Sequence, residues 1–265
     1  MNVIKRNMAL SDAIKPVLAG VYETKQPRFP NFETPFHACY VAGSSGGKTT
    51  LLVNHLLNHL RGCFEGGIYV FSPNAGEGGD TTFRPLRDYI YSELGIPKEI
   101  KCFFDQRKDL DTHLPRILDD HAKIIKNLKE KKRKVLPGIC ILCDDWADSG
   151  IMEQRHGVFA RIFMRERYNM VSCMLSTQRF RSVALPLRLN FRALFILRLR
   201  SQKEYEAVQE ELSNMTSKPT FKQLYDLAMS SSYGHLYVRT KYDDLDHAVY
   251  ISDQGYKRVV FNKEE

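Results

Sequence analysis

The sequence predicts a three-layer α/β fold built on a mostly parallel sheet. Short apolar runs of strand length alternate with runs of helical period along most of the chain. A strand, a glycine-rich turn and a leucine-rich helix open that alternation over residues 36–61. A second apolar run, residues 139–143, ends abruptly in two acids. Strands apolar on both faces belong to the buried centre of a parallel sheet covered by helices on each side. A chain of 265 residues is long enough for one large domain with appendages.

The elements follow in order. Residues 1–34, with Pro16, Pro27 and Pro30, read as an N-terminal arm with one short helix near 11–19. The main domain occupies residues 35–265. Residues 36–42 are its first strand, and 48–61 carry leucines at helical spacing up to the stop at Gly62. Residues 67–72 are a strand closed by the turn-rich 73–80. A helix over 82–94, a strand over 100–104 and a long, increasingly basic helix over 110–133 come next. Beyond the strand at 139–143, the pattern predicts a helix over 152–168 and strands over 170–176 and 193–199. Helices over 202–213 and 221–229 precede two alternating runs, 235–239 and 247–252, which read as a C-terminal β-hairpin.

Composition narrows the class. Apolar content is 43% and charged content 26%, as in a soluble globular protein. The sequence has no stretch of the roughly 18 apolar residues that a membrane helix needs, and no secretory signal. Cys39, Cys63, Cys102, Cys140, Cys143 and Cys173 are scattered, several within apolar runs, as reduced core residues of an intracellular protein are. The net charge of +8 favours a polyanionic partner.

The run AGSSGGKT over 42–49 matches the P-loop pattern G-x-x-x-x-G-K-[ST], with Ala42 in place of the first glycine. Gly43, Gly46 and Gly47 let the backbone bend and aim its N–H groups at phosphate oxygens. Ser44, Ser45 and Thr50 complete the cradle. Lys48 is placed to reach the β- and γ-phosphates, and the Thr49 hydroxyl to bind Mg²⁺. The chain therefore reads as a P-loop NTPase of RecA-like type, with a nucleoside triphosphate and Mg²⁺ as cofactors. Asp144 is placed to hold Mg²⁺ through its water shell, and Asp145 to orient or deprotonate the attacking water. Burial of two adjacent carboxylates should raise the pKa of one. The C-x-x-C spacing of Cys140 and Cys143 lies in an apolar strand without a second pair, so it reads as core packing. His37, His55, His59 and His156 show no metal-ligand pattern and read as structural. In a RecA-like sheet the strand ending in Ser176, Thr177 and Gln178 lies between the P-loop and Asp144 strands. Gln178 is then able to sense the γ-phosphate or position water.

The run RYNMVSCMLSTQ over 167–178, then PLRLN over 186–190 and an apolar strand, resembles the FtsK/HerA superfamily of DNA-pumping ATPases. Within it, the sequence is most similar to the genome-packaging ATPases of vaccinia-like and other large DNA viruses and of virophages. IYVFSPN over 68–74, followed by Asp80, resembles that branch as well. The similarity spans roughly residues 36–252. The sequence departs from the pattern at Ala42, at Asp145, where glutamate is common, and at Glu166 and Tyr168 beside Arg167.

The resemblance implies a homo-oligomeric ring, pentameric or hexameric, with ATP at each subunit interface. It also implies an arginine contributed in trans by a neighbour, with Arg188 as the first choice and Arg167 the second. The implied function is translocation of double-stranded DNA into a viral capsid, with capsid or vertex proteins as partners and an intracellular or virion-associated setting in an infected host. Two further readings remain: a cellular or plasmid translocase of the same superfamily, and a nucleotide-bound assembly scaffold that does not hydrolyse. The basic run 129–134 reads as a DNA contact, a nuclear import signal or a solvated helix end. Among the arginines at 179, 181, 188, 192, 198 and 200, those on the loop after Gln178 are candidates to face a ring pore and its DNA phosphates.

Overall fold

The computed structural model describes residues 22–27, 32–76, 78–146, 150–241, 248–252 and 256–259. The helix expected near 11–19 and the first part of the run 247–252 lie outside them.

Among the described residues one nine-stranded sheet organises the domain. Its strands are β1 (His37–Val41), β2 (Gly67–Phe71), β3 (Phe103–Phe104), β4 (Ile139–Cys143), β5 (Val171–Thr177), β6 (Ala193–Ile196), β7 (Leu236–Val238), β8 (Val249–Ser252) and β9 (Tyr256–Arg258). The spatial order is β3-β2-β4-β5-β1-β6-β7-β8-β9. Neighbours from β3 to β6 pair in parallel, and those from β6 to β9 pair antiparallel. β5 therefore sits between the P-loop strand β1 and the acidic strand β4, as the RecA-like reading requires. The expected hairpin is present as β7 and β8, and β9 extends it to three strands.

Strand periodicity sorts the core into two faces. Cys39 and Val41 of β1, with Ile141 and Cys143 of β4, face one apolar cluster. That cluster includes residues of α3 (Arg107–Glu130), α4 (Val158–Met164), α6 (Gln202–Glu211) and α7 (Lys218–Ala228). Ala38, Tyr40, Cys140 and Leu142 face the other cluster, under α1 (Lys48–Asn54) and α2 (Arg84–Asp88). The result is three layers. Cys140 and Cys143 fall on opposite faces of β4 and are both buried and free, so their spacing is that of core packing.

Several boundaries differ from the expectation. α1 continues into a π-helical turn over His55–His59, which together fill the predicted helix. α3 starts three residues early, because Asp109 accepts from the Gln106 backbone N–H at 3.3 Å and closes the first turn. The predicted 152–168 helix is broken. A 3₁₀ turn spans Ile151–Glu153, α4 begins after Gly157 (φ 151°), and a second 3₁₀ turn spans Glu166–Asn169. Residues 153–157 are exposed and offer no apolar side chain to hold a helix against the sheet. β3 is shorter than predicted because Ile100 lies exposed in the preceding turn. A short helix unforeseen in the sequence, α5 (Leu185–Arg188), follows Ala184. Among the described residues no helix is long and apolar enough to cross a membrane.

The described part of the N-terminal arm is docked on the domain. The Glu23 N–H donates to the Lys134 carbonyl at 2.9 Å, and Phe32 is buried. The basic run 129–134 immediately precedes β4, so it lies at the end of the sheet opposite the P-loop. Lys129 there donates to the Tyr168 carbonyl at 2.9 Å.

Candidate active site

Parallel registry brings the sequence motifs to one edge. Val41 at the end of β1 stands beside Thr177 of β5, and Cys143 of β4 stands beside Leu175 of β5 and Phe71 of β2. The segments leaving β1, β4 and β5 must then converge at the carboxyl ends of the strands, where open α/β sheets place their ligands. They form a cleft of about 340 Å³. Ser44, Ser45, Gly46, Gly47, Lys48, Thr49 and Thr50 line one wall, and Asp144, Asp145 and Gln178 another. Gly43 lies at the base of the loop, where its N–H donates to the Arg198 carbonyl at 3.2 Å.

The loop geometry explains its glycines and its departure from the pattern. Gly47 has φ 84°, a left-handed conformation that favours glycine. A Cβ at Gly46 would lie 2.8 Å from the Ala42 methyl and 2.9 Å from the Gly43 carbonyl oxygen. Ala42 is therefore accommodated because the residue facing it is glycine. Lys48 is buried and donates to the carbonyls of Ala42 (3.2 Å) and Gly43 (3.1 Å), which holds it along the loop. Burial lowers its pKa, while Asp144 and Asp145 pull it back up.

The acids are organised by hydroxyls. Asp144 is 1% exposed. It accepts from the Thr49 hydroxyl at 2.9 Å and from the Ser176 hydroxyl. Burial raises its carboxyl pKa, the hydrogen bonds from Ser176 and Thr49 oppose that, and Asp145 adds to it. The pairing anticipated from sequence thus falls on Asp144. Thr49 and Asp144 are hard oxygen donors held together, a set that fits Mg²⁺ and leaves its remaining positions to water and phosphate. Bound there, the ion would neutralise phosphate charge.

Asp145 turns away from β4 with φ 57°, a conformation aspartate tolerates better than most residues. Its N–H donates to Ser176 Oγ at 3.3 Å, and its Oδ1 accepts from Gln178 Nε2 at 2.9 Å. Gln178 therefore fixes the direction of the Asp145 carboxylate. An oriented carboxylate across from a phosphate cradle can align and deprotonate water.

Sequence reasoning missed four contributors. Ser176 ties both acids together from the neighbouring strand, a role legible only once β5 is known to lie beside β4. Asp80 and Thr82 form the opposite lip, joined by hydrogen bonds from the Thr82 N–H (2.8 Å) and hydroxyl (2.6 Å) to Asp80. Tyr233 closes one side from the turn after α7.

The arginines divide between the two ends of the sheet. Arg179, Arg181, Arg198 and Arg200 follow β5 and β6 on the cleft side and are exposed. Arg167 precedes β5 and Arg192 precedes β6, at the far end. Arg188 is outside the cleft. It pairs with Glu211 of its own chain at 3.2 Å, with the two side chains only 22% and 16% exposed. The residue expected to act in trans is thus engaged internally in the single chain. His37 lies on β1, and His55 and His59 lie on the π-helical turn after α1; among the described residues no cluster of three metal-ligating side chains occurs.

No protein-family model and no curated protein matches the sequence. Solved structures do. ATPases 2 and 3 of EssC from Geobacillus thermodenitrificans align at 14% identity over 74% of this chain and 42% of that one, with TM-score 0.51. The genome packaging NTPase B204 from Sulfolobus turreted icosahedral virus 2, in complex with AMPPCP, aligns at 13% identity over 85% of this chain and 98% of that one, with TM-score 0.52. The pCW3 conjugation coupling protein TcpA aligns at 14% identity over 78% of this chain and 58% of that one, with TM-score 0.54. This chain thus spans less than half of the EssC chain and nearly all of B204. At 13–14% identity the likeness is one of fold: these structures share the α/β architecture with a mostly parallel sheet that the sequence predicts.

Proposed function

We propose that the chain hydrolyses ATP with Mg²⁺ to move double-stranded DNA, and that it does so as a homo-oligomeric ring loading a viral genome into a capsid. The observation that carries the reading is the cleft itself. Lys48, Thr49, Asp144, Asp145 and Gln178, each assigned from sequence, line one cavity, with Asp144 bonded to Thr49 and Asp145 to Gln178. A scaffold that only binds nucleotide has no need of a buried carboxylate beside a second acid that a side chain holds in place. The similarity to B204 over nearly the whole of that chain supports the packaging setting, and the similarity to TcpA keeps a plasmid translocase as the second reading.

In the ring, Lys48 and the loop backbone hold phosphate, Asp145 activates water, and Gln178 couples that acid to β5. Arg188 is the residue assigned to the trans position, and Glu211 must release it on assembly. Such an arginine contributes on the order of 10³-fold or more in rate. The exposed cleft-side arginines are candidates for gripping the phosphate backbone, as a sequence-indifferent pump requires.

The test is phosphate release from ATP with Mg²⁺, with and without duplex DNA. DNA-stimulated turnover that disappears in Lys48→Ala supports the motor. Arg188→Ala should bind nucleotide normally and lose the stimulated rate; normal turnover in that variant would leave the Arg188–Glu211 pair a purely structural one. Nucleotide binding without turnover at any DNA concentration would favour the scaffold.

A further inference from the structure

The phosphate cleft does not end at the P-loop. Gly47, Thr50 and Tyr233 line it and also line an adjoining cavity of about 400 Å³, whose other walls include Leu51, Asn54 and Leu197. That volume lies in the range of pockets that enclose small organic ligands. Tyr233 stands at the junction, with 83% of its surface exposed.

The chain holds the Tyr233 ring there against local preference. Its φ is 60°, a left-handed conformation that is uncommon for an aromatic residue. The next residue, Gly234, sits in a turn so tight that a Cβ would fall 2.0 Å from the Ala228 carbonyl oxygen. On the other side, a Cβ at Gly47 would lie 3.5 Å from Tyr233 Cδ1, so the ring rests against the bare backbone of the P-loop. An aromatic ring kept exposed by a constrained turn gains little from burial, and backbone strain of this kind gathers at ligand sites. Leu197 supplies a buried apolar wall. Asn54 lies one helical turn beyond Thr50, on the same face of α1, with its amide exposed to the cavity. An amide offers both a donor and an acceptor to the edge of a heterocycle.

We infer that this cavity is the base subsite, in which Tyr233 stacks on the purine of a nucleotide whose phosphates lie on the P-loop and Asn54 meets the edge of the ring. The assignment rests on the nucleotide reading of the cleft. Its occupant follows from continuity: any phosphate chain seated at Lys48 must carry its remaining part out of the cleft, and the Tyr233 junction leads to a cavity that combines an aromatic face and the side chains of Leu51 and Leu197 with the polar Asn54, His235 and Ser252. A purine fills it better than a pyrimidine because it covers more of that face.

The experiment is a calorimetric titration of the full chain, with Mg²⁺ present, using ATP, CTP and inorganic tripolyphosphate. Tyr233→Ala, Tyr233→Phe, Asn54→Ala and Lys48→Ala are compared with the native protein. Tyr233→Ala should weaken ATP binding about tenfold or more, the scale of one base–aromatic stack. It should leave tripolyphosphate binding unchanged. Tyr233→Phe should bind ATP within about twofold of native, because the stacking face is retained. Asn54→Ala should reduce the preference for ATP over CTP. Tyr233 is exposed, so its loss should not unfold the chain. Native affinity for ATP in Tyr233→Ala, or equal loss of ATP and tripolyphosphate, overturns the base subsite. Lys48→Ala isolates the underlying reading. If it loses tripolyphosphate, the cradle stands and a Tyr233 failure counts against the subsite alone. If it binds tripolyphosphate as the native protein does, both assignments fall.

Discussion

At the scale of single residues, the site depends on one side chain holding another. Gln178 donates to Asp145, and Ser176 bridges Asp144 and the Asp145 backbone. If Gln178 acts by orienting Asp145, the two are one functional unit. Gln178→Ala and Asp145→Asn should each lower kcat by about 10²-fold or more, the usual scale for a lost acid–base group. Each should leave the ATP affinity close to native. The double variant should be little worse than the worse single, because a unit fails once. Fully multiplicative losses in that cycle would show that Gln178 acts on its own. Lys48, Thr49, Asp144, Asp145 and Gln178 were legible in the sequence because their chemistry demands fixed residue types next to strand ends. Ser176 as a bridge, the Asp80–Thr82 lip and Tyr233 were not, because their roles come from which strands and turns are neighbours. Arg188 shows the same limit: a linear pattern names an arginine but not the Glu211 that holds it.

At the scale of elements, the P-loop is a strand-to-helix joint with almost no spare volume. Gly46 faces both the Ala42 methyl and the Gly43 carbonyl. Gly46→Ala should therefore displace the loop and weaken nucleotide binding by about tenfold or more, as a core clash of about 1–3 kcal/mol does. Ala42→Gly removes one side of that contact and should leave affinity nearly native. Calorimetry on both variants checks the pair, and an unaffected Gly46→Ala would show that the loop is slack. Long apolar strands and leucine-rich helices were the elements most legible in the sequence. The break over 153–157 was not, because a polar segment with a glycine has no signal stronger than the apolar runs beside it. β9 was hidden for another reason: a three-residue edge strand such as Tyr256–Arg258 owes its conformation to β8 rather than to its own pattern.

At the scale of the whole molecule, buried histidines set the response to acid. Burial lowers the pKa of His37 to about 3 and of His235 to about 4, and holds His55 well below its ordinary value. His55 joins β1 to the last strand: its ring bonds the hydroxyls of Tyr40 (2.8 Å) and Tyr256 (2.6 Å), and Tyr256 in turn meets His235 at 2.7 Å. The unfolded chain takes up these protons near pH 6.5, while the folded chain does not until far lower. Their contribution to stability is thus complete above about pH 6.5 and is lost as pH falls below it. Burial lowers His59 and His121 as well; Asp144 and Glu211, whose pKa values are raised, work in the opposite sense but are two groups against five. The melting temperature should change little from pH 7.5 to about pH 6.5 and fall steadily from there to pH 5, and His37→Phe, which keeps a ring against Phe163, should flatten the fall. A melting temperature constant over that range would contradict the assignment. The same three-layer body places the cleft-side arginines on one end of the sheet and the run 129–134 on the other, so only the former can share a face with nucleotide. If DNA is moved at that face, a short third strand is displaced from a linear duplex, measured with ATP, with a non-hydrolysable analogue, and with Lys48→Ala. Displacement that requires ATP and Lys48 is the result predicted; ATP turnover at a full rate with the third strand left in place would contradict it.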